Sequence, residues 1–267
     1  MTQIHIHQLT FTLPNGKTLF NNLNLVFAKR KIGLVGKNGV GKSTLFQLIT
    51  GELYPSSGSI YTEGTLAYLS QEWDFFAFPN LTVAGLFGVE KKIRALHRIY
   101  KGSIDTQDFI TLDEDWQVEE RLQQQLMRFG LQALSYNTPI NQLSGGEITR
   151  LRLTQVFSSN ADFLLLDEPS NHLDSSARKQ LYKAIQDWEG AIIIASHDRK
   201  LLNFIEEIIE LNTLGVKHYG GNYRHYIEQK SIEHAAHIHA LNDAKKLLQK
   251  TAKTIQTTHE KHEKKQS

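Results

Sequence analysis

Two kinds of hydrophobic pattern predict the strands of this chain. In residues 4–11 apolar and polar side chains alternate, which is the period of a half-buried strand, and residues 19–27 continue in the same extended manner. Residues 32–35, 163–166 and 191–195 are instead continuous apolar runs, typical of strands covered on both faces of a parallel sheet. Helical patterns lie between these runs. The chain therefore predicts an α/β fold, a mainly parallel sheet flanked by helices with antiparallel strands at its N-terminus.

A purely helical region interrupts this α/β pattern. One helix starts within residues 81–87, and after a polar break at 101–105 comes an amphipathic second helix, with apolar positions from Trp116 to Leu131. We interpret the region as a helical subdomain inserted into the core. The predicted segments are core 1–78, inserted helices 79–140, core 141–228 and a charged helical linker or tail, 229–267.

The tail combines a helical spacing with an excess of lysine. Its apolar residues follow a three-four spacing, interrupted by Lys245, which predicts a long and marginally coiled-coil helix; disorder is the alternative. The whole chain has a formal net charge of only +2, and the basic excess lies after Ser231. These lysines could contact RNA phosphates or form an ordinary solvated helix face.

Composition narrows the class of protein. The chain has 267 residues, 40% of them hydrophobic, which permits a sizeable core. It contains no apolar run long enough for a membrane span and no secretory leader, so we expect a cytoplasmic protein. It has no cysteine, which excludes disulfides and thiolate metal sites.

The strongest chemical motif follows the apolar run 32–35. A glycine loop of the form G-x-x-x-x-G-K-S leads from this strand into a helix, so backbone N–H groups and a helix N-terminus converge where a polyphosphate can bind. Lys42 is placed to reach the β- and γ-phosphates, and the Ser43 hydroxyl to bind Mg²⁺. The loop consists of Gly36, Lys37, Asn38, Gly39, Val40, Gly41, Lys42, Ser43 and Thr44.

Two further motifs complete the predicted chemistry. Asp167 and Glu168 end the strand 163–166, where one carboxylate can hold Mg²⁺ and the next can act as general base on an attacking water. At the start of a later helix, a serine hydroxyl and glycine N–H groups form a second anion site. This second site suits a nucleotide held by another copy of the domain. Its residues are Ser144, Gly145, Gly146 and Glu147.

In motif order the chain resembles an ATP-binding cassette ATPase. The matching segments are Walker A (36–44), the Q-loop (Gln71), the signature (143–147), Walker B (163–168), the D-loop (170–174) and the switch histidine (His197). The resemblance implies ATP and Mg²⁺ as ligands and Phe11 as the aromatic residue that stacks on adenine. It also implies that Gln71 senses the metal and the attacking water, and that His197 contacts the γ-phosphate.

The stretch 167–174, D-E-P-S-N-H-L-D, and the stretch 219–230 resemble the F-type subfamily, whose members act on the ribosome. That resemblance implies ribosomal RNA and tRNA as partners of the full-length protein. F-type proteins carry two cassettes, whereas this chain has one phosphate loop. It is either the N-terminal half of a longer protein or a cassette that homodimerises.

Three functions are compatible with these motifs. The leading one is an Mg²⁺-dependent ATPase module of an F-type protein, in which ATP closes two cassettes and hydrolysis reopens them. The second is the ATPase subunit of a membrane transporter whose spans are on another chain. The third is a nucleotide-gated binding module in which hydrolysis is incidental.

Overall fold

A computed structural model describes residues 2–74, 77–213 and 215–266. The side chains of residues 237, 240, 247–249 and 251 onward lie outside the described set, as do the tail predictions that depend on them. The chain divides into two compact units, Met1–Asn222 and Tyr223–Ser267. The first unit contains the sheets and all of the sequence motifs.

The N-terminal sheet is antiparallel, as its alternating pattern predicted. Its strands are β1 (Gln3–Thr12), β2 (Thr18–Phe27) and β4 (Ser57–Glu63), in the order β2-β1-β4. Strand β1 contains an irregularity, because Gln8 has a φ of 48° and the register shifts between Ile6 and Leu9. This bulge changes the phase of alternation: Ile4 and Ile6 are buried before it, and Leu9 and Phe11 after it.

The main sheet has six strands in the order β5-β6-β7-β3-β8-β9. All neighbouring pairs are parallel except β8 and β9. Every residue of β6 and β7 is buried, which is why their sequences are apolar without alternation. The strands are β3 (Lys31–Val35), β5 (Leu66–Leu69), β6 (Phe163–Asp167), β7 (Ala191–Ala195), β8 (Glu207–Asn212) and β9 (Gly215–Gly220).

Three helices connect the parallel strands, α1 (Lys42–Thr50), α6 (Gly145–Phe157) and α7 (Ser175–Asp187). Among the described residues, the helical block between β5 and α6 contains four α-helices where the sequence pattern indicated two. They are α2 (Val83–Leu86), α3 (Glu90–Tyr100), α4 (Thr106–Leu112) and α5 (Val118–Met127). Gly88, with a φ of 70°, separates α2 from α3, and the Asp105 side chain caps α4 by accepting from the Gln107 N–H. These breaks are local turn chemistry that hydrophobic spacing does not report.

The helical block has its own apolar cluster, which includes Leu96, Leu122 and Leu126 and also Leu151 from α6. Helix α6 therefore belongs both to the nucleotide-binding core and to the packing of the helical block. In the second unit, the predicted terminal helix is present as α8 (Tyr223–Gln266). Among the described residues, no helix is long and apolar enough to cross a membrane.

Candidate active site

Three parallel strands bring their carboxyl ends to one edge of the sheet. Strand β3 leads into the glycine loop, β6 ends at Asp167, and β7, which pairs with both, leads to His197. Ligands of open α/β sheets bind at such edges because the loops that follow the strands converge there. The result here is a cleft of about 600 Å³ lined by residues from all three loops.

The glycine loop is shaped by close approach and by positive φ. A Cβ on Gly36 would lie 2.4 Å from the Leu211 carbonyl oxygen, and Gly41 has a φ of 109° as the N-terminal cap of α1. No side chain caps this helix, so its first N–H groups remain for an anion. Lys42 is only 8% exposed, and its Nζ donates to the Gly36 carbonyl at 3.0 Å. Burial lowers the pKa of Lys42, while the charges of Glu168 and Asp167 oppose that shift.

Asp167 and Ser43 form the part of the cleft that fits a magnesium ion. Asp167 is 2% exposed, and burial raises its pKa against the Ser43 hydrogen bond and the Lys42 charge. Its Oδ2 is buried and accepts no hydrogen bond, which leaves one carboxylate oxygen for a cation. Among the described residues there is no cluster of three acidic, His or Cys side chains that could hold a metal. A carboxylate and a hydroxyl are oxygen donors of the kind that Mg²⁺ prefers, so these residues fit that ion.

Glu168 lies beside His197, and the backbone conformation of Glu168 is strained. Its φ is 47°, and its N–H donates to the Ala195 carbonyl at 2.8 Å. Its carboxylate accepts from the His197 backbone N–H at 3.3 Å and lies 3.5 Å from His197 Nε2. Burial raises the pKa of Glu168, and the neighbouring His197 and Lys42 oppose that rise. A half-buried carboxylate with a raised pKa is suited to accept a proton.

His197 also contacts the glycine loop. Its Nε2 donates to Asn38 Oδ1 at 2.9 Å. Gln71, from the loop after β5, is exposed and lines the same cleft. The residues predicted to act on the phosphates thus meet at one site, although they come from four separate stretches of sequence.

Three predicted loop residues and one predicted stacking residue do not line the cleft. Gly36, Lys37 and Val40 belong to the glycine loop but are absent from the lining. Phe11, which the resemblance assigns to adenine stacking, is also absent from the lining. It is 8% exposed in the core beside Phe20, because the bulge at Gln8 turns it inward. The apolar side chains that do line the cleft are Leu13 and Leu19.

Residues missed by sequence reasoning therefore include Leu13 and Leu19. The adjacent polar residues His7 and Gln8 break the alternation in β1 and were the available signal for the phase change. Asn171 lines the cleft as well, although in the sequence it served only as a subfamily marker.

The signature segment lies outside the cleft lining. Ser144 caps α6 in a full capping box: its hydroxyl accepts from the Glu147 N–H and donates to the Glu147 carboxylate at 2.6 Å. These hydrogen bonds lower the pKa of Glu147. Ser144 and Gly145 are exposed, and a Cβ on Gly145 would meet nothing within 4 Å. The N-terminus of α6, where the second anion site was predicted, is therefore capped by its own side chains and exposed to solvent.

The D-loop follows the acidic strand end in the sequence and lies against the signature. A Cβ on Gly146 would lie 3.2 Å from the carbonyl oxygen of His172, whose φ is 60°. Two residues later, Asp174 caps α7 by accepting from the Ala177 N–H at 2.8 Å. The backbone of the signature is therefore in contact with the segment that follows Glu168.

Comparison with known proteins identifies the family. The family described as ABC transporter matches residues 20–171, more than half of the chain, and the chain therefore belongs to this family of ATP-binding cassette ATPases. The F-type resemblance is also confirmed. One relative is the "Probable ATP-binding protein YheS" of Escherichia coli K12, 32% identical over 214 residues, which are 76% of this chain and 33% of that protein.

A second relative is "ABC transporter F family member 2" of Arabidopsis thaliana, 30% identical over 219 residues, 81% of this chain and 29% of that protein. The chain thus spans about a third of the length of these relatives. Among solved structures, the dimeric post-hydrolysis state of the ATP-binding cassette MJ0796 bound to ADP and Pi matches with a TM-score of 0.63. At 22% identity it covers 81% of this chain and 98% of that one, and it supports the fold.

Proposed function

We propose that this chain is one of two cassettes of an F-type protein that uses Mg²⁺-dependent ATP hydrolysis to act on the ribosome. The observation that carries the proposal is that the residues predicted to contact phosphate lie in two separate places on the chain. Lys42, Asp167 and Glu168 meet in one cleft, whereas Ser144 stands exposed outside it. In a single chain, the cleft therefore lacks a contact from Ser144, and Ser144 has no phosphate to contact. Two cassettes in opposite orientation would place the Ser144 segment of each against the cleft of the other.

Hydrolysis follows from the placement of the cleft residues. Lys42 and the free N–H groups of the loop bind the β- and γ-phosphates and orient the γ-phosphorus. Glu168 accepts the proton of a water whose oxygen bonds to the γ-phosphorus, while the bond from that phosphorus to the β-phosphate oxygen breaks. His197 exchanges its Asn38 partner for a γ-phosphate oxygen. Asp167 and Ser43, with Gln71 in the same cleft, would hold Mg²⁺, which would neutralise part of the phosphate charge.

The ribosome is proposed as the target on two grounds. The chain's relatives include a protein named as an F family member, and the stretch 167–174 with the basic tail is similar to that subfamily. The tail would contribute through lysine contacts to phosphates, an interaction that weakens steeply with salt. We propose the cytoplasm as its location.

Glu168→Gln tests the assignment of the base. The amide keeps the size of the side chain but cannot take the proton, so we expect turnover to fall by about 100-fold or more. The affinity for Mg²⁺-ATP should stay within about twofold of the parent. Glu189→Gln, the same chemical change at an exposed residue outside the cleft lining, is the matched control and should keep its turnover. Undiminished hydrolysis by the Glu168 variant would remove this residue from its role.

The ribosome proposal has a separate test. The Glu168→Gln chain is sedimented with purified ribosomes in Mg²⁺-ATP and in Mg²⁺-ADP, over a series of salt concentrations. We expect cosedimentation in ATP only, with a steep loss as salt rises. Equal sedimentation in both nucleotides, or none, would reject the ribosome as target and leave the ATPase assignment standing. Copurification with a membrane protein would instead favour a transporter subunit.

A further inference from the structure

An arginine on the signature helix holds the segment that carries Gln71. Arg152 lies on α6 roughly two turns after Ser144. Its Nη1 donates to the Ser70 carbonyl oxygen at 2.9 Å, and its Nη2 donates to the Ser70 hydroxyl at 2.9 Å. One guanidinium thus contacts both the backbone and the side chain of the residue immediately before Gln71.

The same guanidinium contacts the other side of the segment. Its Cζ lies 5.2 Å from the centroid of the Trp73 ring, a cation–π distance. Trp73 itself packs against the apolar cluster of the helical block. Ser70 adds a local turn by donating its hydroxyl to the Glu72 carbonyl at 2.6 Å. Gln71 is therefore flanked on both sides by residues that Arg152 contacts.

The chemistry of this contact requires arginine. A planar guanidinium can donate from two nitrogens in a fixed fork and still present its face to an aromatic ring, whereas a lysine ammonium is a point charge without that geometry. Burial lowers the pKa of Arg152, against an opposing interaction with Tyr68. The groups that accept its hydrogen bonds are a neutral carbonyl and a neutral hydroxyl. A half-buried cation with neutral partners is not an ion pair, and its hydrogen bonds fix geometry.

Helix α6 connects the Arg152 contact to the signature segment. Its first residues form the signature, which faces solvent, and its residue 152 holds the Q-loop, whose Gln71 lines the cleft. A helix is stiff over two turns, so a displacement of its N-terminus is transmitted to Arg152. Gln71 is exposed, and its position depends on the backbone that Arg152 fixes at Ser70.

We propose that Arg152 is a positioning residue that fastens the Q-loop to the signature helix, so that Gln71 and Ser144 move together. Gln71 then reaches its catalytic position only when α6 is placed for Ser144 to meet the opposite nucleotide. This inference rests on the proposed function, since it assigns to Gln71 a role in turnover. It adds the residue that couples the two anion sites of one cassette.

Arg152→Met removes the fork and the charge while retaining an unbranched apolar side chain. We expect kcat to fall about tenfold, because Gln71 is misplaced, with the KM for ATP within about twofold, because the glycine loop is untouched. Arg152→Lys should not restore kcat, since it keeps the charge but not the fork. In a Gln71→Ala background the Met substitution should have no further effect on kcat.

Arg128→Met is the matched control. Arg128 also lies over an aromatic ring, at 6.0 Å from the Phe157 centroid, and donates to a carbonyl at 3.2 Å, but it contacts no Q-loop residue in these interactions. We expect its kcat to stay within about twofold of the parent. If it fell as far as that of the Arg152 variant, a general loss of packing would explain both, and the proposal would be wrong.

A fluorescence measurement tests the same proposal without turnover. The chain has three tryptophans, and Trp116→Phe with Trp188→Phe leaves Trp73 as the reporter. Mg²⁺-ATP should shift Trp73 emission in this background, and Arg152→Met should abolish the shift while ATP still binds. An unchanged shift in the Arg152 variant would overturn the proposal.

The outcomes distinguish failure of the proposed role of Gln71 from failure of the Arg152 inference. A further variant covers the case in which Arg152→Met does not fold. If Gln71→Ala turns over normally, the proposed role of Gln71 fails and the Arg152 role with it. If Gln71→Ala is impaired but Arg152→Met is normal, only the Arg152 inference fails. Should the Met variant unfold, Ser70→Ala removes one of the two hydrogen-bond acceptors and should lower kcat about threefold; an unchanged kcat there rejects the proposal.

Discussion

The two anion sites of this cassette are built in opposite ways. Helix α1 begins at the buried Lys42 with a glycine cap and no capping side chain, whereas α6 begins at exposed residues with a complete capping box between Ser144 and Glu147. The first leaves its N–H groups for a phosphate. The second satisfies part of its own hydrogen-bonding need through the Ser144–Glu147 bonds, and under the proposed function a phosphate would have to replace them. The N-terminus of α1 is therefore open to a ligand, whereas the N-terminus of α6 is already capped.

The pKa shifts also differ between the cleft and the signature segment. In the cleft, burial lowers the pKa of Lys42 and raises the pKa of Asp167 and Glu168, so each group loses some preference for its charged form. At the signature, hydrogen bonds from Ser144 lower the pKa of Glu147, which favours its charged form. Under the proposed function, bound phosphates and Mg²⁺ would offset the cost of burying these charges in the cleft.

The largest expected effect comes from removing the cation of the cleft. Lys42→Ala leaves the phosphates without their buried positive charge, and we expect the affinity for Mg²⁺-ATP to fall by about 100-fold, or roughly 2.7 kcal/mol. Titration of a fluorescent ATP analogue measures this. Lys37→Ala, in the same loop but outside the cleft lining, is the control and should bind within about twofold of the parent. Equal losses in both would contradict the division of roles.

The next effect breaks the exposed site alone. Gly145→Asp adds a side chain where nothing lies within 4 Å, and a carboxylate in the first turn of a helix is favourable, so the fold and the ATP affinity of the single chain should be unchanged. The carboxylate would repel an incoming phosphate. In the Glu168→Gln background we expect ATP-dependent pairing, followed by sedimentation velocity, to weaken at least tenfold. Pairing as strong as in the parent would show that Gly145 does not face the opposite nucleotide.

The smallest effect concerns the stability of the nucleotide-free chain. Because burial raises the pKa of Asp167, the folded chain holds this proton more tightly than the unfolded chain, and that stabilisation is lost as the pH rises through the folded pKa. Asp167→Asn should therefore raise the unfolding midpoint at pH 8 by roughly 2–4 °C, and less at pH 5. The same variant should lose its stabilisation by Mg²⁺-ATP.

The control for this prediction has the opposite sign. Capping hydrogen bonds lower the pKa of Asp174, so its contribution to stability is present above the ordinary carboxyl pKa and is lost as the pH falls through the folded value. Asp174→Asn should thus lower the midpoint at pH 8. Thermal unfolding by circular dichroism at the two pH values distinguishes the variants. A lower midpoint for Asp167→Asn at pH 8 would contradict the idea that the cleft stores charge strain.

Much of the site was predictable because its motifs are short and its strands are apolar. The run 32–35 followed by glycines, Lys42 and Ser43 predicts a strand, a phosphate loop and a helix from local properties alone, and Asp167 and Glu168 are marked by the apolar run before them. The burial of Phe11 was not predictable from the alternation, although its cause is local as well. A one-residue bulge at Gln8 reverses which side chains of β1 face inward, so that Phe11 is buried.

The sequence by itself determined the class of fold and marked the phosphate loop and the acidic strand end, because each depends on residues adjacent in the chain. Only the tertiary structure decided that His197 contacts Asn38 and Glu168, that Ser144 stands outside the cleft, and that Arg152 holds the segment around Gln71. These contacts join residues far apart in sequence. They exist because the strand order β6-β7-β3 aligns three loops at one edge and because α6 packs across the Q-loop, and neither arrangement is encoded in any single stretch.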